Sequence, residues 1–260
     1  MWTDDQFAQF NEQGYLCERG LLSQQEIDEL ISSTQQAADD EANSSEVHVV
    51  RESSGALRTI FRLHKKVESC RQIIRDSRIS DPLKQIFNDD AYVFHSKLNV
   101  KAGFEGAVWL WHQDYGYWQF DGMKDNMTSV LIMLDKTTLY NGNMLFVAGS
   151  HKWGVLDHYS DEVSTSYKQW CITPDVLKEK ITDESMFTPV IGEPGDVFYF
   201  DCNIVHGSGH NMSPLPRRSL IFACAAMSNQ PTGKDDPRPD WVVARDFESI
   251  TSDMQTAARA

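Results

Sequence analysis

The chain has no hydrophobic run approaching the ~18 residues needed to cross a bilayer. Its N-terminus, Met1-Trp2-Thr3-Asp4-Asp5, is acidic where a secretory signal would open with basic residues. A cytoplasmic location is the expectation. Cysteine is sparse: Cys17, Cys70, Cys171, Cys202 and Cys224 are odd in number and scattered, with no Cys-x-x-Cys pair. That excludes a disulfide scaffold and predicts reduced thiols. Basic runs are missing too, since 24 Lys and Arg face 38 Asp and Glu for a formal net charge of -14. Such a surface repels phosphate backbones, so neither nucleic acid nor a membrane is an expected partner. Glycine and proline are not in excess, and no repeat or low-complexity tract divides the chain, which excludes collagenous, fibrous and wholly disordered architectures. With 41% hydrophobic and 24% charged residues over 260 positions, the composition is that of a globular protein with a substantial core. We expect one domain over 1–260.

The texture divides that domain. Residues 1–90 read as a mostly helical scaffold: Thr3 can cap a helix over 4–11, and Ser23-Gln24-Gln25-Glu26 has capping-box spacing ahead of Ile27, Leu30 and Ile31 on one face. A hairpin around Ser53-Ser54-Gly55 and helical segments near 64–75 and 82–87 follow. From 91 to 227, short apolar or alternating runs at 92–101, 108–111, 127–134, 144–147, 187–191, 196–200 and 219–227 are punctuated by turn signals such as Asn141-Gly142 and Pro194-Gly195-Asp196. That pattern predicts a sandwich or barrel. The polar, partly helical stretch 160–184 reads as an insertion or lid, and 228–239 as a loop before a short C-terminal helix or tail.

His112 and Asp114 stand two residues apart in Trp109-Leu110-Trp111-His112-Gln113-Asp114. At a strand end, i and i+2 project to one face, so an imidazole and a carboxylate can grip one metal ion. His206, just after the run 197–200, is a candidate third ligand. Two histidines and a carboxylate form the facial triad that holds non-haem Fe(II) and leaves positions open for co-substrate and oxygen.

His112-Gln113-Asp114, the later Asn141-Gly142-Asn143-Met144-Leu145-Phe146-Val147-Ala148-Gly149-Ser150-His151, and His206-Gly207-Ser208-Gly209 followed by Arg217 together resemble the phytanoyl-CoA dioxygenase family of Fe(II)/2-oxoglutarate oxygenases. Asn99-Val100-Lys101-Ala102-Gly103-Phe104 ahead of Trp111-His112 is similar to the ectoine hydroxylase branch. The resemblance implies a mainly β fold with flanking helices, a double-stranded β-helix or cupin-like jelly roll. It implies a hydroxylase that uses Fe(II), 2-oxoglutarate and O2, with ascorbate in support, and releases succinate and CO2. His112, Asp114 and His206 would bind iron, and the carboxylate at Asp114 favours hydroxylation over halogenation. Arg217 would pair with the distal carboxylate of 2-oxoglutarate, a bidentate task suited to a guanidinium, or Arg218 would if the register shifts by one. Ser208 would support the same carboxylate, Asn99 would hydrogen-bond the co-substrate, and Trp109 stands at an aromatic position beside it. His151 and His210 read as structural.

Alternation over 92–101 places Phe94, Leu98 and Val100 on one face and His95, Lys97 and Asn99 on the other. His95 and Lys97 would then form a cationic pair in the substrate pocket, fit for an anionic head group. Tyr115, Tyr117 and Trp118 would receive an ammonium by cation–π contact or pack at the barrel mouth. A small zwitterion such as an aminophosphonate or an amino acid derivative satisfies both. The ectoine branch carries arginine and glutamine where this chain has Lys97 and His95, which argues against ectoine itself. Two other classes stay open: a non-redox metal enzyme of the cupin type, and a non-catalytic jelly roll that binds a ligand.

Overall fold

The computed structural model describes residues 1–41, 48–165, 168–233, 238–240 and 242–251. Its first helix, α1 (Asp4–Gln13), starts on a capping box in which the Thr3 hydroxyl accepts from the Gln6 amide and the Gln6 side chain accepts from the Thr3 amide. Gly14, at φ 79°, ends it in the left-handed region. The Ser23–Glu26 pair repeats the device at the head of α2 (Gln24–Glu41). Each cap contributes about 1 kcal/mol.

Three strands lie in the stretch read as scaffold. β2 (Val49–Arg51) and β3 (Leu57–Phe61) are the foreseen hairpin, but β1 (Tyr15–Glu18) was not foreseen. Three short helices follow: α3 (Leu63–Lys66), α4 (Glu68–Arg75) and α5 (Ser77–Phe87). α5 begins five residues before Pro82, because Asp76 caps it by accepting from the Arg78 amide. The remaining strands are β4 (Ala91–Lys101), β5 (Trp109–His112), β6 (Met127–Met133), β7 (Met144–Val147), β8 (His158–Asp161), β9 (Gln169–Ile172), β10 (Phe187–Val190), β11 (Val197–Asp201), β12 (His206–Ser208) and β13 (Arg217–Ala226). A single helical turn, α6 (Tyr115–Trp118), follows β5, and α7 (Pro174–Lys180) follows β9.

A seven-stranded sheet in the order β1-β11-β6-β13-β4-β3-β2 faces a four-stranded sheet in the order β10-β7-β12-β5. Period-two alternation decides what each face covers. Val130, Ile132, Leu220 and Phe222 point outward and pack with Ile27, Leu30, Ile74 and Leu83 of the helices. Leu131, Met133 and Ile221 point inward and meet Met144 and Phe146 of the small sheet. The result is a jelly roll with helices on one side. The described part contains no helix long and apolar enough to cross a membrane.

Two expectations about the outer segments change. The stretch 160–184 enters through a hairpin, β8–β9, before α7 and a 3-10 turn at Glu184–Met186. After β13, residues 238–240 and 242–251 form a strap rather than a helix or free tail. Ala244 donates to the Phe94 carbonyl, Ile250 to that of Ala91, and Val243 and Ile250 are buried. Any helix over 252–260 lies outside the described residues.

Candidate active site

β12 pairs antiparallel with β5 so that His206 stands directly opposite His112, and the two rings lie 4.1 Å apart. Each donates its Nδ1–H to the carbonyl two residues behind it, His112 to Leu110 at 2.7 Å and His206 to Ile204 at 3.0 Å. That fixes the tautomer and leaves Nε2 of each as the bare donor atom. Burial holds both imidazoles below their usual pKa, His112 well below, so both are neutral as a metal ligand must be.

Asp114 arrives by a different route from the one its spacing suggests. β5 ends at His112, and Asp114 has helical angles, φ -58° and ψ -38°, at the head of α6. The turn, and not strand alternation, brings its carboxylate beside the rings, with Oδ1 3.9 Å from His112 Nε2. Burial pushes its pKa up, but the Lys97 charge, the two histidines and the Ser129 hydroxyl outweigh it and hold the carboxyl at about 2. The ligand atoms of His112, Asp114 and His206 lie within 4.8 Å of one another, the only such cluster among the described residues.

Two adjoining cavities open from this triad. The first, about 420 Å3, runs from His206 and Asp114 to Asn99, Ser208 and Arg217. Its far end carries two buried atoms with no hydrogen-bond partner, Ser208 Oγ and Arg217 Nε. Arg217 is 3% exposed, and burial lowers its pKa to about 10. Among the described residues its side chain makes one hydrogen bond, the donation from Nη1 to Ser219 Oγ at 3.0 Å. Arg218 points the other way into a bidentate pair with Asp135, at 2.7 and 2.8 Å, so Arg217 is the arginine at the cavity. Asn99 accepts from the Thr59 hydroxyl at 2.8 Å, which turns its amide nitrogen to the cavity. Trp109 lines both cavities and lies against Arg58, whose guanidinium carbon is 4.1 Å from its ring centre.

The second cavity, about 460 Å3, is lined by Phe61, His95, Lys97, Tyr117, Trp118, Arg238 and Val242. Lys97 reaches both cavities and makes no ion pair or hydrogen bond with a described residue. His95 is not cationic: burial first, and then the charge of Lys97, lowers its pKa to about 3. Its Nδ1 meets the Val242 carbonyl at 3.2 Å, and its Nε2 is buried without a partner. The expected cationic pair is therefore one cation, Lys97, beside one neutral acceptor. Phe94 is also displaced. β4 carries a bulge there, so Phe94 turns inward with His95 onto Trp118 while Leu98 stays outward.

Tyr115 does not line the second cavity. Its hydroxyl donates to the Met123 carbonyl at 3.0 Å, and its ring packs among inner apolar residues. Tyr117 does line it, edge-on to His112, and its hydroxyl accepts from the Trp170 amide at 2.9 Å. The β8–β9 hairpin is tied there and, through Gln169, to Leu110, and none of its described residues lines either cavity. His151 Nε2 donates to the Asn11 carbonyl at 3.1 Å, away from the triad, and His210 is exposed. Ser129, Phe61, Arg238 and Val242 were not foreseen. A lone hydroxyl pair, Thr128-Ser129, inside an apolar strand was a readable signal for the first; the others reach the site through long-range packing.

The family model for phytanoyl-CoA dioxygenase matches residues 10–219, four-fifths of the chain, a span that includes His112, Asp114, His206 and Arg217. The chain belongs to the phytanoyl-CoA dioxygenase family. Among its relatives in that family, the ectoine dioxygenase of Sphingopyxis alaskensis is 32% identical, covering 94% of this chain and 85% of the relative. That of Bordetella bronchiseptica is 28% identical, covering 93% and 82%. The crystal structure of EctD from S. alaskensis with 2-oxoglutarate and 5-hydroxyectoine superposes with a TM-score of 0.82 at 28% identity, covering 96% of this chain and 88% of that one. The structure of the same enzyme with bound Fe also gives 0.82, at 25% identity, covering 97% and 90%. Family membership sets aside the non-redox cupin and the non-catalytic jelly roll.

Proposed function

We propose that this phytanoyl-CoA dioxygenase family member hydroxylates a small anionic or zwitterionic metabolite, such as an aminophosphonate or an amino acid derivative. The chain is an Fe(II)- and 2-oxoglutarate-dependent dioxygenase. The observation that carries the substrate reading is one cavity beside the triad that holds both Lys97, which makes no ion pair or hydrogen bond with a described residue, and the orphaned His95 Nε2.

The donor set fits the metal: two neutral imidazoles and an ionised carboxylate converge, and they suit Fe(II). The orphaned Ser208 Oγ and Arg217 Nε fit a carboxylate at the far end of the first cavity, since a buried guanidinium without an anion is costly. His112, Asp114 and His206 would hold the iron, with Arg217, Ser208, Asn99 and Trp109 around 2-oxoglutarate. When bound, iron and 2-oxoglutarate supply the oxidising chemistry, consuming O2 and releasing succinate and CO2.

The chain's own residues select the substrate. Lys97 offers a charge-assisted hydrogen bond to an anionic group. The Val242 carbonyl keeps the His95 proton on Nδ1, so Nε2 accepts from an N–H or O–H of the substrate. Phe61, Trp109, Tyr117 and Trp118 exclude water, and their faces suit an ammonium.

Screening small anionic amines and acids, ectoine among them, for stimulated 2-oxoglutarate turnover tests this reading. Neutral compounds as the only activators would overturn it. Lys97→Met is expected to raise the KM of the activating substrate by about 10-fold or more, while substrate-independent decarboxylation persists because Arg217 and the triad are untouched. Equal loss of both activities would remove Lys97 from substrate recognition.

A further inference from the structure

Ser129 lies in the middle of β6, between Phe200 of β11 and Ala223 of β13. It is fully buried, in a strand that is apolar apart from Thr128. A hydroxyl in that position requires a partner, and its side chain has one: Oγ donates to Asp114 Oδ2 at 2.8 Å. The other carboxylate oxygen, Oδ1, is the one that approaches His112 Nε2.

We infer that Ser129 is a positioning residue that makes Asp114 a one-oxygen metal ligand. The inference rests on reading the triad as the iron site. With Oδ2 engaged by the serine, turning the carboxylate to chelate through both oxygens would strain or break that hydrogen bond. The triad then contributes three donor atoms and leaves three positions of a six-coordinate ion open, the number that a bidentate keto acid and O2 require. A two-oxygen Asp114 would occupy one of them. The two imidazoles are oriented by backbone carbonyls that any sequence would offer. Ser129 is the only side chain in the described structure that hydrogen-bonds a member of the triad, so it is where this support depends on residue identity.

Ser129→Ala and Ser129→Cys, compared in anaerobic Fe(II) and Co(II) titrations, test the inference. Cysteine nearly matches serine in size but is a weak donor. A packing role would survive in the cysteine variant; a hydrogen-bonding role is lost in both. Both variants are expected to bind the metal about 10–100-fold more weakly. The visible Co(II) spectrum should change, as should the charge-transfer band of the Fe(II)–2-oxoglutarate complex, with the melting temperature of the metal-free protein unchanged. Wild-type affinity and spectra in both variants would overturn the inference. So would wild-type behaviour of the cysteine variant alone, or a fall in metal-free melting temperature that accounts for the weaker binding. Wild-type protein that binds neither metal would sink the iron-site reading itself, so the two failures are distinguishable.

Discussion

Asp114→Ala should reduce Fe(II)-dependent turnover to background, a fall of about 10³-fold or more on the scale of losses seen when a reacting centre is dismantled. The carboxylate is the only anion in the cluster, and the remaining ligands are neutral imidazoles with Lys97 nearby. Without it the pocket presents a cation and two weak donors to a dication. Iron occupancy should fall with activity, because the metal affinity and the reaction depend on the same atoms. The fold should persist. Asp114 makes one side-chain hydrogen bond, to Ser129, and α6 is a single turn whose backbone contacts remain. His112→Ala and His206→Ala should behave alike, since the two rings face each other across β5 and β12 and neither belongs to an apolar core cluster. Metal analysis beside a 2-oxoglutarate turnover assay checks this. Wild-type turnover with stoichiometric iron in any one variant would remove that residue from the triad.

How much of this site can be read in advance depends on whether a contact is local. The His112–Asp114 spacing is local, and the pair was legible as a ligand set although the reason was incomplete: the chain turns into α6 between them. Strand alternation correctly put Lys97 and Asn99 on one face of β4, because nothing interrupts the strand between them. It failed at Phe94, where a bulge opposite Ala223 and Cys224 reverses the parity, and that bulge is a property of the pairing with β13. The charge of His95 was out of reach for the same reason. Its neutrality follows from complete burial under Phe61, Trp118 and the strap that brings Val242, and the strap is 147 residues away along the chain. β1 was missed because four residues of mixed polarity, Tyr15 to Glu18, carry no alternation; they form a strand only against the edge of β11. The seven-stranded sheet owes its full width to such non-local pairings. The run of short strands and turns after residue 91 was enough to indicate the jelly roll without them.

Arg217 divides folding from function most sharply, and its replacement should show both. A guanidinium 3% exposed with an orphaned Nε, and no ion pair to a described carboxylate, is a cost to the free protein of roughly 1–3 kcal/mol. Arg217→Met removes that cost, so the ligand-free variant is expected to melt no lower than the wild type. With 2-oxoglutarate the order should reverse. At about 100 times its Kd, a ligand adds about 2.7 kcal/mol of stability, or about 5 °C or more for a chain of this size. Arg217→Met should lose most of that increment. Arg217→Lys keeps the charge and loses the fork, so its requirement for 2-oxoglutarate should rise by about 10–100-fold with little change in substrate affinity. Arg218→Lys is the matched control, because Arg218 is engaged with Asp135 outside the cavity. Thermal shift with and without 2-oxoglutarate, followed by KM for both substrates, decides the matter. If Arg217→Met melts well below the wild type without ligand and still shows the full shift with it, Arg217 belongs to the fold and the co-substrate is held elsewhere.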